Sequence, residues 1–167
     1  MRKKTITMAA VLVVTVLFSS TSSAQTLHKS EREEIRLSDE AIEACEKYGE
    51  EYHICPELLE SIIEAESGGN QYARHGSCKG LMQVSTRWHT NRMERLGVTD
   101  IYDVDGNVHV GADYLAELFE EYEDASYVLD IYNGNSKAEE YYEQGIISDY
   151  ADKVLTLSEK LERLHGK

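Results

Sequence analysis

One carboxylate in this sequence is placed where it can do chemistry. Between Pro56 and Gly69, the residues Leu58, Leu59, Ile62 and Ile63 recur at helical spacing, and extending that spacing by four and three residues lands on Glu66. The stripe that faces a core therefore ends in an acid. Glu64, two positions earlier, points to the other side and reads as solvated. Gly68 and Gly69 stop the helix directly afterwards, which leaves Glu66 at the negative end of the helix dipole and beside apolar side chains. Both effects disfavour the ionised form and raise the pKa. A carboxyl that keeps its proton near neutral pH is a general acid, able to protonate a departing oxygen. The competing reading is a surface glutamate at a frayed helix end, caught in an ion pair.

Other clusters of ligand-type residues are incomplete. His53 with Cys55 and His75 with Cys78 lack a full set of zinc ligands at workable spacing. The run Asp103-Val104-Asp105-Gly106-Asn107 begins like a calcium loop. It then has Val108 where the turn needs Gly and Tyr114 where the bidentate Glu belongs. It reads instead as a turn capping the next helix, and neither a metal nor a cofactor is expected. The runs Glu120-Glu121 and Glu139-Glu140 read as solvated faces. Tyr127, Tyr141, Tyr142 and Tyr150 suit either the rim of a groove or a packed core.

The elements that must position Glu66 are helical almost throughout. Ser38 caps a helix whose inner face is Ile42, Cys45 and Tyr48, and Pro56, the one proline, opens the next. Amphipathic patterns predict helices over about 108–122, 126–132 and 149–164, with a weaker one over 87–96. No alternating strand and no internal repeat stands out.

The start of the chain has the form of an export signal. Arg2, Lys3 and Lys4 precede an apolar run from Ile6 to Phe18, and small residues lead to a cleavage site after Ala24. An uncleaved anchor is the alternative, although the run is short for a membrane span. The divisions expected are a signal peptide over 1–24, a charged tether over 25–37 and a single domain over 38–167, exported from the cytoplasm. The whole chain carries a net charge of −14; removing the three leader cations takes it to about −17. Such a surface repels phosphate backbones and anionic lipids, which excludes nucleic acid as an expected partner and gives no grip on an anionic wall. Any wall substrate is then held by shape and hydrogen bonds. Cys45, Cys55 and Cys78 are an odd number, so no complete disulfide framework forms. Cys45 and Cys55 suit either a disulfide or two small buried residues.

Four short motifs follow in order: Glu66-Ser67; Gly80-Leu81-Met82-Gln83; Asn107 with Gly111, Tyr114 and Leu115; and Tyr132-Asn133-Gly134. Together they resemble the catalytic domain of soluble lytic transglycosylases, in the goose-type lysozyme superfamily, from about Ala41 to Leu161. The resemblance implies an all-α, lysozyme-like domain with a substrate groove that cleaves peptidoglycan glycan strands between N-acetylmuramic acid and N-acetylglucosamine, leaving 1,6-anhydro ends. Glu66 would be the catalytic acid and then base. Ser67 would support its helix end, Met82 and Gln83 would line the groove, Tyr132 would reach toward the catalytic carboxyl, and Asn133 would shape the adjoining wall. The chain departs from the family pattern in two places. Val84 to Trp88 lack the proline usual after Met-Gln, and Gly134-Asn135 replaces the Ala-Gly usual after Tyr-Asn. Trp88 suits a sugar platform or a half-buried packing role. Two alternatives stand beside this reading: a muramidase that hydrolyses the same bond, and a non-catalytic peptidoglycan-binding or assembly protein. With no separate wall-binding module, localisation is expected to rely on a cell-envelope partner or a retained anchor.

Overall fold

A computed structural model describes residues 37–167; the expected signal peptide, and the tether up to residue 36, lie outside the described residues. The described chain is all-α apart from one small sheet, as the sequence predicts. Its helices are α1 (Asp39–Tyr52), α2 (Pro56–Ser67), α3 (Thr90–Leu96), α4 (Val104–Glu121), α5 (Ala125–Tyr132), α6 (Ala138–Gln144) and α7 (Asp149–His165). The sheet consists of β1 (Arg74–His75), β2 (Cys78–Lys79) and β3 (Val84–Ser85), antiparallel in that order. The sheet and α6 go beyond the sequence reading. Strands of two residues are too short to show alternation, and α6 buries just Ala138, so it carries no apolar stripe.

Local signals explain the helix ends. The Ser38 hydroxyl accepts from the Ala41 N–H at the start of α1, and Pro56 occupies the first turn of α2. The Asp103 carboxylate accepts from the Gly106 N–H at 2.8 Å, which starts α4 four residues before the apolar pattern becomes visible. No helix among the described residues is long and apolar enough to cross a membrane.

Helix α2 is the centre of the packing, with α1 and α7 against it, while α4 packs on α1. Leu59, Ile62 and Ile63 of α2 are fully buried and meet a core that includes Val108 and Leu115 of α4, Leu129 of α5 and Val154 of α7. Fully burying a side chain of this size contributes roughly 1.5–3 kcal/mol, so the apolar face of α2 holds its last turn firmly in the core. Cys45 and Cys55 are free thiols. The first is buried, and the second donates to Glu57 at 2.8 Å.

The Gly80–Gln83 segment joins β2 to β3 and is tied down by one buried side chain. Asn107 accepts from the Met82 N–H at 2.8 Å and donates to the carbonyls of Lys79 and Ile101 at 3.0 and 2.8 Å. Two glycines make this approach possible. A Cβ on Gly80, whose φ is +78°, would lie 2.1 Å from the Asn107 amide nitrogen, and one on Gly111 would lie 2.5 Å from the Met82 sulfur.

The end of α7 clasps the start of α2. His165 Nδ1 and Lys167 Nζ each lie 2.7 Å from Glu57, a carboxylate 1% exposed. Burial pushes the Glu57 carboxyl up, but the donors Cys55, Lys167 and His165 outweigh it and hold the pKa at about 2.

Asn107→Ala would remove the hydrogen bonds to the Met82 N–H and to the Lys79 and Ile101 carbonyls and is expected to cost about 3 kcal/mol or more in urea unfolding. Because the Glu57 pKa is depressed on folding, its contribution is present above the ordinary value of 4.5 and is lost as the pH falls toward about 2. Glu57→Gln should therefore lower the melting temperature at pH 7, with the gap to wild type closing across that acidic window.

Candidate active site

Glu66 lies in the last turn of α2, half-buried, with Gly68 in the left-handed region closing the helix behind it. Ser67 donates back to the Ile63 carbonyl at 3.1 Å, taking up an acceptor of the final turn. The partner of the Glu66 carboxyl is Tyr150, in the first turn of α7, whose hydroxyl donates to Oε1 at 2.6 Å. Burial raises the Glu66 pKa above the usual carboxylate range, while the Tyr150 hydrogen bond and the Lys153 cation pull the other way without cancelling it. The group is thus an acid that holds its proton to higher pH than an exposed glutamate.

Tyr150, and not Tyr132, supplies the hydroxyl that is hydrogen-bonded to Glu66. The Tyr132 hydroxyl donates to the Met82 carbonyl at 3.0 Å and not to Glu66. Tyr132 is still close enough that, after burial, the Glu66 charge is the next influence raising its own pKa. Its ring packs at 5.6 Å from Tyr114, which in turn lies 4.5 Å from His89, forming an aromatic row.

Tyr132 also lines a cleft of about 420 Å³, together with Gln83, Trp88, His89, Tyr114 and Asn133. Gln83 is held at φ +46°, and its amide donates to the Gly80 carbonyl at 2.9 Å. Met82 is corrected. Its side chain is fully buried over Gly111, so it supports the cleft from beneath instead of lining it. Trp88 is 76% exposed, which removes the half-buried reading and leaves a flat apolar surface at the cleft wall. Glu64 is corrected as well, since it is half-buried with Oε2 shielded from solvent.

The Gly134-Asn135 departure has a structural use. Asp130, 2% exposed, accepts from the Asn135 amide at 3.0 Å and from the Ser148 hydroxyl at 2.5 Å. Ser148 caps α7 by accepting from the Ala151 N–H. The turn after α5 is thereby tied to the start of α7, two residues before Tyr150. A tyrosine on the apolar stripe of the last helix was the available signal for Tyr150, but core packing explained it equally well. Its pairing with Glu66 depends on a contact between residues 84 positions apart.

The family profile described as "Transglycosylase SLT domain" matches residues 43–144, a span that holds Glu66, the Gly80–Gln83 segment, Asn107 and Tyr132 but not Tyr150. A transglycosylase of Enterobacteria phage PRD1 is 32% identical over 87 residues, which is 52% of this chain and 31% of that protein. The chain thus matches about a third of the length of that relative.

The Tyr150 hydroxyl stabilises the ionised carboxylate, so its removal should raise the Glu66 pKa further. Tyr150→Phe is expected to move the carboxyl titration of Glu66 to higher pH, as followed by carbon NMR. An unmoved titration would mean that this hydrogen bond does not bear on the acid.

Proposed function

The chain belongs to the transglycosylase SLT domain family, and from that membership we propose that it is a lytic transglycosylase acting on peptidoglycan outside the cytoplasm, with Glu66 as its acid and base. The observation that carries this reading is a half-buried carboxyl with a raised pKa that is hydrogen-bonded by Tyr150 and whose charge reaches Tyr132, behind a cleft that Tyr132 lines and Glu66 itself does not. Ser67 supports the helix end, Gln83, Tyr132 and Asn133 contact the sugar chain, and Met82 acts from below.

Glu66 protonates the oxygen joining N-acetylmuramic acid to N-acetylglucosamine. The glycosidic C1–O bond then breaks, and the substrate's own acetamido group stabilises the cationic centre, since glycan cleavage without a second protein carboxylate is an established variant. Among the described residues, the charged side chain acting on Glu66 is a cation, Lys153, and not a second acid. The ionised Glu66 next takes the proton from the muramyl C6 hydroxyl, whose oxygen bonds to C1. The product ends in a 1,6-anhydro ring and no water is consumed. Tyr150 fits this cycle because its hydroxyl stabilises the ionised form that must exist between the two proton transfers.

The cleft suits a neutral sugar chain. Among the described residues lining it there is no Asp, Glu, Lys or Arg, although the chain carries 31 acidic residues. His89, the one titratable imidazole there, has its pKa lowered by burial and then by Arg92, which keeps it neutral at physiological pH.

Incubating the protein with purified peptidoglycan should release muropeptides with anhydromuramyl ends, identifiable by mass spectrometry. Glu66→Gln should lower the rate by at least about 100-fold while keeping the circular dichroism of the wild type. Reducing ends would replace this reading with a muramidase. Equal release by the variant would remove Glu66 from the chemistry.

A further inference from the structure

We propose that a second cavity, formed where α4, α5 and α6 meet, binds an arginine side chain carried on a basic, partly apolar segment of a partner protein. The cavity encloses about 480 Å³, larger than the cleft at Tyr132, and shares no residue with it. Three tyrosines build its aromatic wall. Tyr127 stacks on Tyr142 with ring centroids 4.7 Å apart, and Tyr122 meets Tyr127 edge-on at 5.0 Å. Tyr142 is 55% exposed, so part of a ring remains open to a ligand.

The charge around these rings is of one sign. Glu121, Glu123, Asp124, Glu139 and Glu143 line the cavity, and among the described residues no Lys or Arg does. Glu121 and Tyr122 stand at the C-terminal, negative end of α4, while Asp124 caps the positive N-terminal end of α5 and offsets it. Glu139 and Glu143 are four residues apart on α6, a like-charge spacing that destabilises a helix until a cation relieves it. Tyrosine faces and carboxylates together select a planar cation that stacks and is hydrogen-bonded at its edge, which is the chemistry of guanidinium.

An apolar patch follows α6 directly. Ile146 and Ile147 are 43% and 55% exposed, and with Tyr142 they make three of the five exposed large hydrophobics among the described residues. A partner segment carrying arginine beside an aliphatic residue complements both features.

The test is fluorescence anisotropy of the purified protein with a labelled hexapeptide of alternating arginine and leucine, in about 0.15 M salt to screen unspecific attraction. The expected result is saturable binding that weakens at least about tenfold when citrulline replaces arginine. Tyr142→Ala, and separately Glu139→Gln with Glu143→Gln, should each weaken it at least about fivefold. Each changes exposed α6 residues, so the fold should survive. Glu43→Gln with Glu46→Gln on the exposed face of α1 removes the same charge elsewhere and should leave affinity within about twofold. Wild-type affinity in either cavity variant, or an equal loss in the α1 variant, would overturn the proposal.

Discussion

The amide of Asn107 is the interaction on which the site's geometry depends. A buried primary amide has an acceptor oxygen and two donor hydrogens, and all of these capacities are engaged by backbone from two separate stretches of chain. The Gly80–Gln83 segment turns sharply between two very short strands and would otherwise bury backbone groups without partners. With the Met82 N–H held, its carbonyl takes the Tyr132 hydroxyl and its side chain fills the space above Gly111. One side chain thereby joins the segment to α4, and through Tyr132 to α5. Gly80 and Gly111 are the condition for it, since a methyl group at either would displace the amide or the thioether.

The acid enters this frame from a different direction. Its position comes from the packing of α2, whose apolar face carries the last turn inward, and its protonation comes from how that turn is closed. Burial alone would leave Glu66 a strong holder of its proton and a poor base. Tyr150 moderates this, because its hydroxyl favours the ionised form at 2.6 Å. The placement of Tyr150 rests on Asp130, which collects Asn135 and Ser148 and so ties the turn after α5 to the first turn of α7. The two turns flanking α6 are therefore joined at one buried carboxylate, which links the wall containing Tyr132 to the helix that carries the donor to Glu66.

What the sequence reveals follows the range of the interactions involved. Helix caps at Ser38, Asp103 and Pro56, and the stripe leading into Glu66, are local, and the structure agrees with each of them. The apolar pattern of α4 begins four residues after the helix does, because a cap lies outside the pattern it introduces. Met82 and Tyr132 are different, since an apolar residue in a motif reads the same whether it lines a groove or lies beneath it. Only the close approach of Gly111 decides for burial. Tyr150 was visible as a residue on a helical stripe, but its pairing with an acid on another helix is a tertiary fact that periodicity does not encode. The three strands are legible only through their partners.

The distribution of charge separates two surfaces that a net value averages together. A chain of net charge −14 would repel any polyanion if its acids were spread evenly. Instead the Tyr132 cleft is lined by uncharged groups, with His89 kept neutral by burial, so the cleft offers hydrogen-bonding groups and aromatic faces without a charged side chain among them. Acids gather at the end of α4 and on α6, against the half-buried Tyr122 and Tyr127 and the exposed Tyr142. These acids are exposed to water, and at physiological salt their field falls off within about 8 Å. Burial, the Tyr150 hydroxyl and the Lys153 cation act on Glu66, so its ionisation is set by where α2 places it and by two residues of α7.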